Sequence, residues 1–235
     1  MSDASVTGAA LSRIQKSFYV SVPFLVAVPV VWALGLLAWL EPANWSMVGL
    51  GAGGWLVALA LRGPVALLVR GMRVPEEQAK YWIGAASGPA EESVRVVLLL
   101  LIGASFRQAL WLGFGWATIE VLYTILSGFI LASLLGRTDP EAEKAREVLQ
   151  SQGLLRESGA VYGVIERIGA TALHIGFTLL VAWHPLIAVV TAIVHSAVNL
   201  VTVRLARRSL ALTEAMIVIA GIVTFLLGLA AFDRL

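Results

Sequence analysis

The chain has 235 residues, of which 59% are apolar and only 14% are charged. Soluble domains carry about 25% charged residues, so this composition excludes an ordinary soluble enzyme, a disordered chain and a nucleic-acid-binding protein. It indicates an integral membrane protein, in which a formal net charge of +2 is typical of Lys and Arg held in cytoplasmic loops. The absence of cysteine excludes disulfides, thiolate metal sites and a cysteine nucleophile.

Seven apolar stretches of about 20 residues or more are long enough to cross a bilayer as helices. They cover residues 18–40, 47–70, 84–104, 108–136, 160–182, 185–203 and 211–232. The predicted fold class is therefore all-α, a polytopic transmembrane helical bundle of about seven spans. We expect one integral membrane domain over residues 1–235, with a motif-bearing core at about 84–204. The apolar run of the first span is longer than that of a signal peptide, so we expect it to remain in the mature protein.

Basic residues in the loops predict the orientation, because Lys and Arg collect on the cytoplasmic side. The loops that carry them precede span 1 and follow spans 2, 4 and 6, and all of these lie on one side. The residues are Arg13, Lys16, Arg62, Arg70, Arg73, Lys80, Arg137, Lys144, Arg146, Arg156, Arg204, Arg207 and Arg208. Only Arg107 and Arg234 fall on the other side. The pattern predicts an N-terminus inside and a C-terminus outside, in a prokaryotic plasma (inner) membrane.

Two local signals modify this layout. Gly63-Pro64 within span 2 predicts a kink, since proline removes a backbone donor and clashes with the preceding turn. The loop after span 4 opens with a capping signal at Asp139 and Pro140, which predicts a short surface helix ending near Gly153. Its apolar residues would rest on the lipid headgroups. These residues are Val148, Leu149, Leu154 and Leu155.

Ionisable and strongly polar residues interrupt spans 3 to 6. A charged side chain at the bilayer centre costs at least about 2.5–3.5 kcal/mol, so such residues usually face a cavity and carry function. They are Glu91, Glu92 and Arg95 in span 3, Glu120 in span 4, Glu166, Arg167 and His174 in span 5, and His195 and Asn199 in span 6. The helical rise places Glu120, His174 and His195 at a similar depth, and Asn199 shares a helix face with His195. We therefore expect these side chains to converge.

Each group also has a purely structural interpretation. Glu91 and Glu92 are typical of the first turn of a helix, where the dipole favours acids. Arg95, one turn further on, is expected to be their counter-ion. Glu166 and Arg167 would form an interfacial ion pair without chemistry.

Two histidines with one or more carboxylates suit hydrolysis by two routes. They can ligate a divalent metal that activates water. Without a metal, a glutamate can act as general base on water while a histidine assists and Asn199 donates to an oxyanion. The same amide would, on the structural interpretation, only bridge two helices. A proton-coupled transporter would also use buried Glu and His residues, but the sequence shows no inverted repeat to favour it.

Four motifs occur in order along the chain. They are Glu91-Glu92-Ser93-Val94-Arg95, then Gly113-Phe114-Gly115-Trp116-Ala117-Thr118-Ile119-Glu120, then Glu166-Arg167 followed by His174, and finally His195-Ser196-Ala197-Val198-Asn199. This ordered set resembles that of the YhfC and PrsW intramembrane proteases, within the superfamily of CAAX prenyl proteases and bacteriocin-processing enzymes. The resemblance covers about residues 88–200.

The resemblance implies an intramembrane peptidase that hydrolyses a peptide bond of a membrane-embedded or lipidated substrate. It implies a catalytic set of Glu91, Glu92, His174, His195 and Asn199, supported by Arg95, Glu120, Glu166 and Arg167. The implied cofactor is a divalent metal such as zinc, held by Glu120, His174 and His195, or none. The implied partners are membrane lipid and the peptide substrate, with no nucleic acid. Trp116 stands where YhfC-like sequences tend to carry His, and Asn199 where Asp is common.

A rival hypothesis is a non-catalytic scaffold that binds partner membrane helices. The superfamily also resembles the multi-span scaffold subunit of gamma-secretase, which is not itself the protease. Span 2 carries Gly49, Gly51, Gly53 and Gly54, and small residues of this kind permit close helix approach. The alternative use of these glycines is packing inside the protein.

Overall fold

The computed structural model describes residues 8–72, 74–151, 155, 159–206 and 208–235. These residues form nine α-helices and no strand. In chain order the helices are α1 (Gly8–Trp39), α2 (Trp45–Gly71), α3 (Glu76–Ala85), α4 (Ser87–Ile102), α5 (Phe106–Gly136), α6 (Pro140–Ser151), α7 (Ala160–Trp183), α8 (Ile187–Ala206) and α9 (Leu210–Ala230). Helices satisfy their backbone hydrogen bonds internally, as a bilayer requires.

Six of the described helices, α1, α2, α5, α7, α8 and α9, are long and apolar enough to cross a membrane. They confirm the predicted helical membrane bundle. The third predicted span, 84–104, divides at Ala86 between the end of α3 and the start of α4. The helix α4 has 16 residues and is about 24 Å long. It ends at Gly103, whose positive φ of 55° lets its N–H close the last turn on Leu99.

The predicted capping signal is present at the start of α6. Asp139 caps this helix by accepting a hydrogen bond from the N–H of Ala142 at 3.2 Å. Its hydrogen bonds from the Arg137 guanidinium and from Ala142 hold the pKa of Asp139 below its usual range. The helix α2 is continuous through Pro64, and the predicted kink stays a prediction. Arg73, Gly153, Leu154, Arg156 and Arg207, and the side chains of Lys80 and Val148, lie outside the described residues.

The helix α5 forms the centre of the bundle, since every residue of its segment 109–117 is buried. Glycines allow α2 to lie directly against it. A Cβ built on Gly51 would lie 2.0 Å from the carbonyl oxygen of Leu112, and one on Gly115 would lie 2.1 Å from that of Val48. Backbone-to-backbone contact of this kind leaves no room for any side chain, so glycine is required at both positions.

The helices α7 and α9 run parallel and are packed equally tightly. A Cβ built on Gly169 would lie 3.0 Å from the Cα of Val218, and one on Gly176 would lie 2.4 Å from the carbonyl carbon of Thr224. Both contacts occur in the same order along the two helices. This register fixes which polar residues of α7 and α9 lie at the same level.

Gly176→Ala is expected to destabilise the protein by about 1–3 kcal/mol, because the added methyl group would overlap the backbone of α9. Gly163→Ala is the matched control, since Gly163 lies on the same helix with nothing within 4 Å of its Cβ position. The measurement is reversible unfolding of both variants in mixed detergent micelles. Equal stability of the two variants would contradict the α7–α9 packing.

Contacts define two ends of the bundle. At the end that we call the basic end, where α1 begins and α5 finishes, Gln15 Nε2 donates to the carbonyl of Ala132 at 2.6 Å. At the opposite end, Arg107 donates to the carbonyl of Pro42 at 2.9 Å, and Arg234 pairs with Glu41 at 3.3 Å. The start of the described chain and its last residues therefore lie at opposite ends of the bundle.

Candidate functional site

Glu91 lies at the centre of the buried polar cluster. The helix α4 begins at Ser87, so Glu91 is in its second turn, and the first-turn interpretation is wrong. The side chain is 2% exposed. It forms an ion pair with Arg62 of α2, and its Oε2 accepts a hydrogen bond from Trp116 Nε1 at 3.0 Å. A carboxylate held from two other helices in this way has a fixed direction.

Glu92 and Arg95 form a second, fully buried ion pair beside it. Glu92 Oε2 also accepts from the hydroxyl of Thr191 at 2.9 Å. Arg95 lies 4.5 Å from the centre of the Trp116 ring, and its second amino group is 3.1 Å from His174 Nδ1. The predicted counter-ion role of Arg95 is therefore confirmed for Glu92. Since a guanidinium can only donate, the Nδ1 atom of His174 accepts.

Each histidine has one ring nitrogen on a carboxylate and the other turned toward Glu91. His174 Nε2 lies 2.6 Å from Glu120 Oε2, while its Nδ1 is 3.9 Å from Glu91 Oε2. His195 Nδ1 lies 3.1 Å from Glu92 Oε1, while its Nε2 is 3.6 Å from Glu91 Oε1. The N–H of His174 is thus directed at Glu120 and that of His195 at Glu92. The other nitrogen of each ring faces Glu91, and that of His174 also accepts from Arg95.

The central group, by which we mean Glu91, His174 and His195, has the donor chemistry of a divalent-metal site. One ligand atom from each residue lies within 4.8 Å of the others. Two imidazoles and a carboxylate match the ligands of hydrolytic zinc sites. Metal-bound histidines usually donate their other N–H to a carboxylate, as both do here. This group contains Glu91 and not the predicted ligand Glu120, which lies on the Nε2 atom of His174, the nitrogen turned away from Glu91.

The remaining predicted residues extend the network toward the basic end. Arg167 lies 2.6 Å from Glu120 and also pairs with Glu166, so the Glu166–Arg167 pair is not isolated from the histidines. Asn199 Nδ2 donates to the hydroxyl of Ser87 at 2.7 Å, which joins α8 to α4. Asn199 therefore bridges two helices, and its catalytic role stays a prediction. All nine predicted site residues belong to one connected region or line its cavity.

A cavity of about 200 Å³ adjoins the central group. Its lining residues come from α2, α4, α5, α7, α8 and α9. They are Trp55, Arg62, Glu91, Glu120, Glu166, Arg167, Ala170, Leu173, His174, His195, Val198, Asn199, Thr202 and Ile217. Two of these residues, Arg62 and Thr202, carry buried polar atoms, Nε and Oγ1, that have no protein partner. Buried polar atoms require hydrogen bonds, so this cavity suits water or a polar ligand.

The ionisable groups of the region do not balance in charge. Five carboxylates accompany three guanidiniums, which leaves two excess negative charges when all are ionised. The carboxylates are those of Glu91, Glu92, Glu120, Glu166 and Glu214, and the guanidiniums are those of Arg62, Arg95 and Arg167. Buried charge is costly unless it is compensated. One divalent cation or two protons on the histidines would neutralise this excess.

Sequence reasoning missed three residues of the region. Arg62 was used only as a basic residue that predicts the orientation of the chain, although it lies well inside the helical pattern of span 2. Glu214 lies in the second turn of α9 and is 5% exposed, so its position inside span 7 was a detectable signal. Thr191 gave no signal, because a threonine in a transmembrane helix normally bonds its own backbone.

No protein-family model, curated protein or solved structure matches this chain. The fold and the candidate site therefore stand on residue geometry.

Proposed function

We propose that the protein is an intramembrane hydrolase that cleaves a peptide bond of a membrane-embedded or lipidated substrate. The observation that carries this proposal is the convergence of Glu91, His174 and His195 inside the bundle, beside a cavity with unpartnered polar atoms. Hydrolysis within a membrane needs an activated water and donors for the developing oxyanion. The cavity wall includes bases that can activate water and hydrogen-bond donors that can stabilise the oxyanion.

The central group is proposed to hold a divalent cation. Glu91, His174 and His195 would hold this cation, which would supply activation of water at neutral pH and polarisation of the scissile carbonyl. Glu92 and Glu120 orient the two imidazoles through the N–H of each ring. The chelating carboxylate, Glu91, is held in place by its two donors.

Arg62 is proposed to stabilise the oxyanion. Its Nε–H is buried, has no protein acceptor and belongs to the cavity wall, while its amino group already pairs with Glu91. A preorganised donor next to the nucleophile costs no reorganisation during the reaction. Asn199 also lines the cavity and has a second amide hydrogen besides the one on Ser87.

We further propose that α4 counts as a seventh crossing, with the basic end in the cytoplasm of a prokaryotic plasma membrane. Support comes from the ends of the described chain, which lie at opposite ends of the bundle, as an odd number of crossings demands. The excess of Lys and Arg in the loops of the basic end favours this orientation.

A scaffold that binds partner membrane helices is the second candidate. Two glycines of α2, Gly51 and Gly54, are occupied by packing inside the protein. The other two, Gly49 and Gly53, have nothing within 4 Å of a Cβ position and are exposed on the bundle surface. Their exposure favours a helix-docking face on α2.

The test is cleavage of a library of transmembrane and lipidated peptides, each carrying a fluorophore and a quencher, by the purified protein in proteoliposomes. Cleavage that stops on chelation and returns with zinc is expected. His195→Ala is the inactive variant, and His184→Ala is its matched control, because His184 is exposed in the turn between α7 and α8.

Three other outcomes oppose this proposal. Cleavage that is equal in His195→Ala would overturn the site. No cleavage, together with stoichiometric co-purification of a membrane protein, would favour the scaffold. Solute uptake that depends on a proton gradient would indicate a transporter.

A further inference from the structure

Among the described residues, mostly apolar side chains separate the central group from the opposite end of the bundle. In the segments of α5 and α7 between the histidines and that end, Thr178 bonds its own helix backbone and Trp111 Nε1 has no protein partner. These segments carry six large apolar side chains that are 0% exposed. These are Leu110, Trp111, Leu112, Ile175, Leu179 and Val181. A wall of this density excludes water because protein interiors are close-packed.

Toward the basic end the exposure of the polar side chains increases overall, although Arg167 is 12% exposed. It is 4% for His174, 21% for Glu120 and 34% for Glu166. The three residues are linked through Arg167, and they follow the cavity wall from the middle of the bundle toward the start of α7. This polar chain therefore leads toward the basic end.

Two polar atoms without protein partners lie along this direction. Thr202 Oγ1 is in the part of α8 near the basic end, and Glu214 Oε2 is in the second turn of α9. The parallel register of α7 and α9 brings Glu214 to the level of Glu166, and it lies within electrostatic range of Glu166 and Arg167. A carboxyl group that is 5% exposed and has an unpartnered oxygen requires a hydrogen-bonding ligand.

We propose that an aqueous inlet opens at the basic end between α7, α8 and α9, with Thr202 and Glu214 on its walls, and supplies water to the central group. Both orphaned oxygens are hydrogen-bonded by that water. The inlet deepens the proposed function, because it states from which side the hydrolytic water enters. Glu214 acts as a positioning residue, since it holds water near Glu166 and contacts no member of the central group.

The chain has no cysteine, so single cysteines can report water access directly. Thr202→Cys and Glu214→Cys are treated in sealed proteoliposomes with a charged, membrane-impermeant thiol reagent. Val203→Cys is the matched control, because Val203 is 55% exposed on the lipid-facing side of the same helix. Thr138→Cys and Leu235→Cys mark the basic and the opposite ends, and both positions are exposed.

Both inlet cysteines are expected to react with the charged reagent, and only from the side on which Thr138→Cys reacts. Val203→Cys is expected to react at least tenfold more slowly with it, while a neutral permeant maleimide labels all five variants. Reaction from the side of Leu235→Cys, or no reaction at Thr202→Cys, would overturn the inlet. Reaction of Thr202→Cys alone would remove Glu214 from it. Labelling does not depend on turnover, so a failure of the hydrolase proposal is distinguishable from a failure of the inlet.

Discussion

Arg95→Met is expected to destabilise the protein by about 3–5 kcal/mol, since removal of one partner of a buried ion pair leaves the other charge uncompensated. Arg95 is fully buried, pairs with Glu92, contacts His174 Nδ1 at 3.1 Å and stacks on the Trp116 ring. Methionine keeps the apolar stem of the side chain but removes every donor. The measurement is the free energy of unfolding in detergent micelles.

Two variants make this prediction specific. Arg234→Met removes an ion pair with Glu41 at the surface of the opposite end, and a loss within about 1 kcal/mol is expected there. Adding Glu92→Gln to Arg95→Met removes the orphaned charge and is expected to recover part of the lost stability. Wild-type stability of Arg95→Met would contradict the buried pair.

The bundle and the convergence of its polar residues were predictable from sequence. Long apolar stretches fixed the helices, because only a helix of this length crosses a bilayer with its backbone satisfied. Charged residues in such helices point inward, and the helical rise put Glu120, His174 and His195 at one depth. The depth of a residue along a helix follows from its position in the sequence, because the helical rise per residue is constant.

The pairing of side chains was not predictable, because it depends on how each helix is rotated and which neighbour it contacts. Glu91 and Glu92 are adjacent in sequence, yet Glu91 faces Arg62 and Trp116 while Glu92 faces Arg95 and Thr191. The split follows from the turn of about 100° between successive helical residues. It places Glu91 with the two histidines in the candidate metal group and Glu92 on the Nδ1 atom of His195.

Trp116 shows how a departure from a motif can be reconciled with a site. It stands where YhfC-like sequences tend to carry His, which predicts either weaker metal binding or a lost activity. In the structure its indole N–H donates to Glu91 at 3.0 Å, and its ring faces Arg95. The position therefore supports the carboxylate instead of supplying a ligand, and the central group keeps three ligands without it.

Glu91→Gln is expected to abolish zinc binding by the purified protein, which we expect to hold one zinc ion per chain. A carboxamide supplies one neutral oxygen where the site has a carboxylate, and the excess negative charge that attracts a cation falls by one. Equilibrium dialysis with metal analysis measures the bound zinc. Zinc at about 100 times its dissociation constant should also raise the wild-type free energy of unfolding by about 2.7 kcal/mol.

The carboxylates that orient the histidines should have smaller effects than the ligand. Glu92→Gln and Glu120→Gln are each expected to weaken zinc binding by about 10–100-fold, because each removes the charge that holds a ring N–H. Glu166→Gln is the control, since Glu166 reaches the histidines only through Arg167 and Glu120, and its zinc affinity should stay within about threefold of wild type. This order of effects on zinc affinity distinguishes binding at the central group from simple attraction of a cation by buried acids. Simple attraction would lower the zinc affinity equally in all four variants. If Glu91→Gln bound zinc as tightly as wild type, Glu91 would not be a ligand. If the wild-type protein bound no zinc, the group would act without a metal through Glu91 as general base.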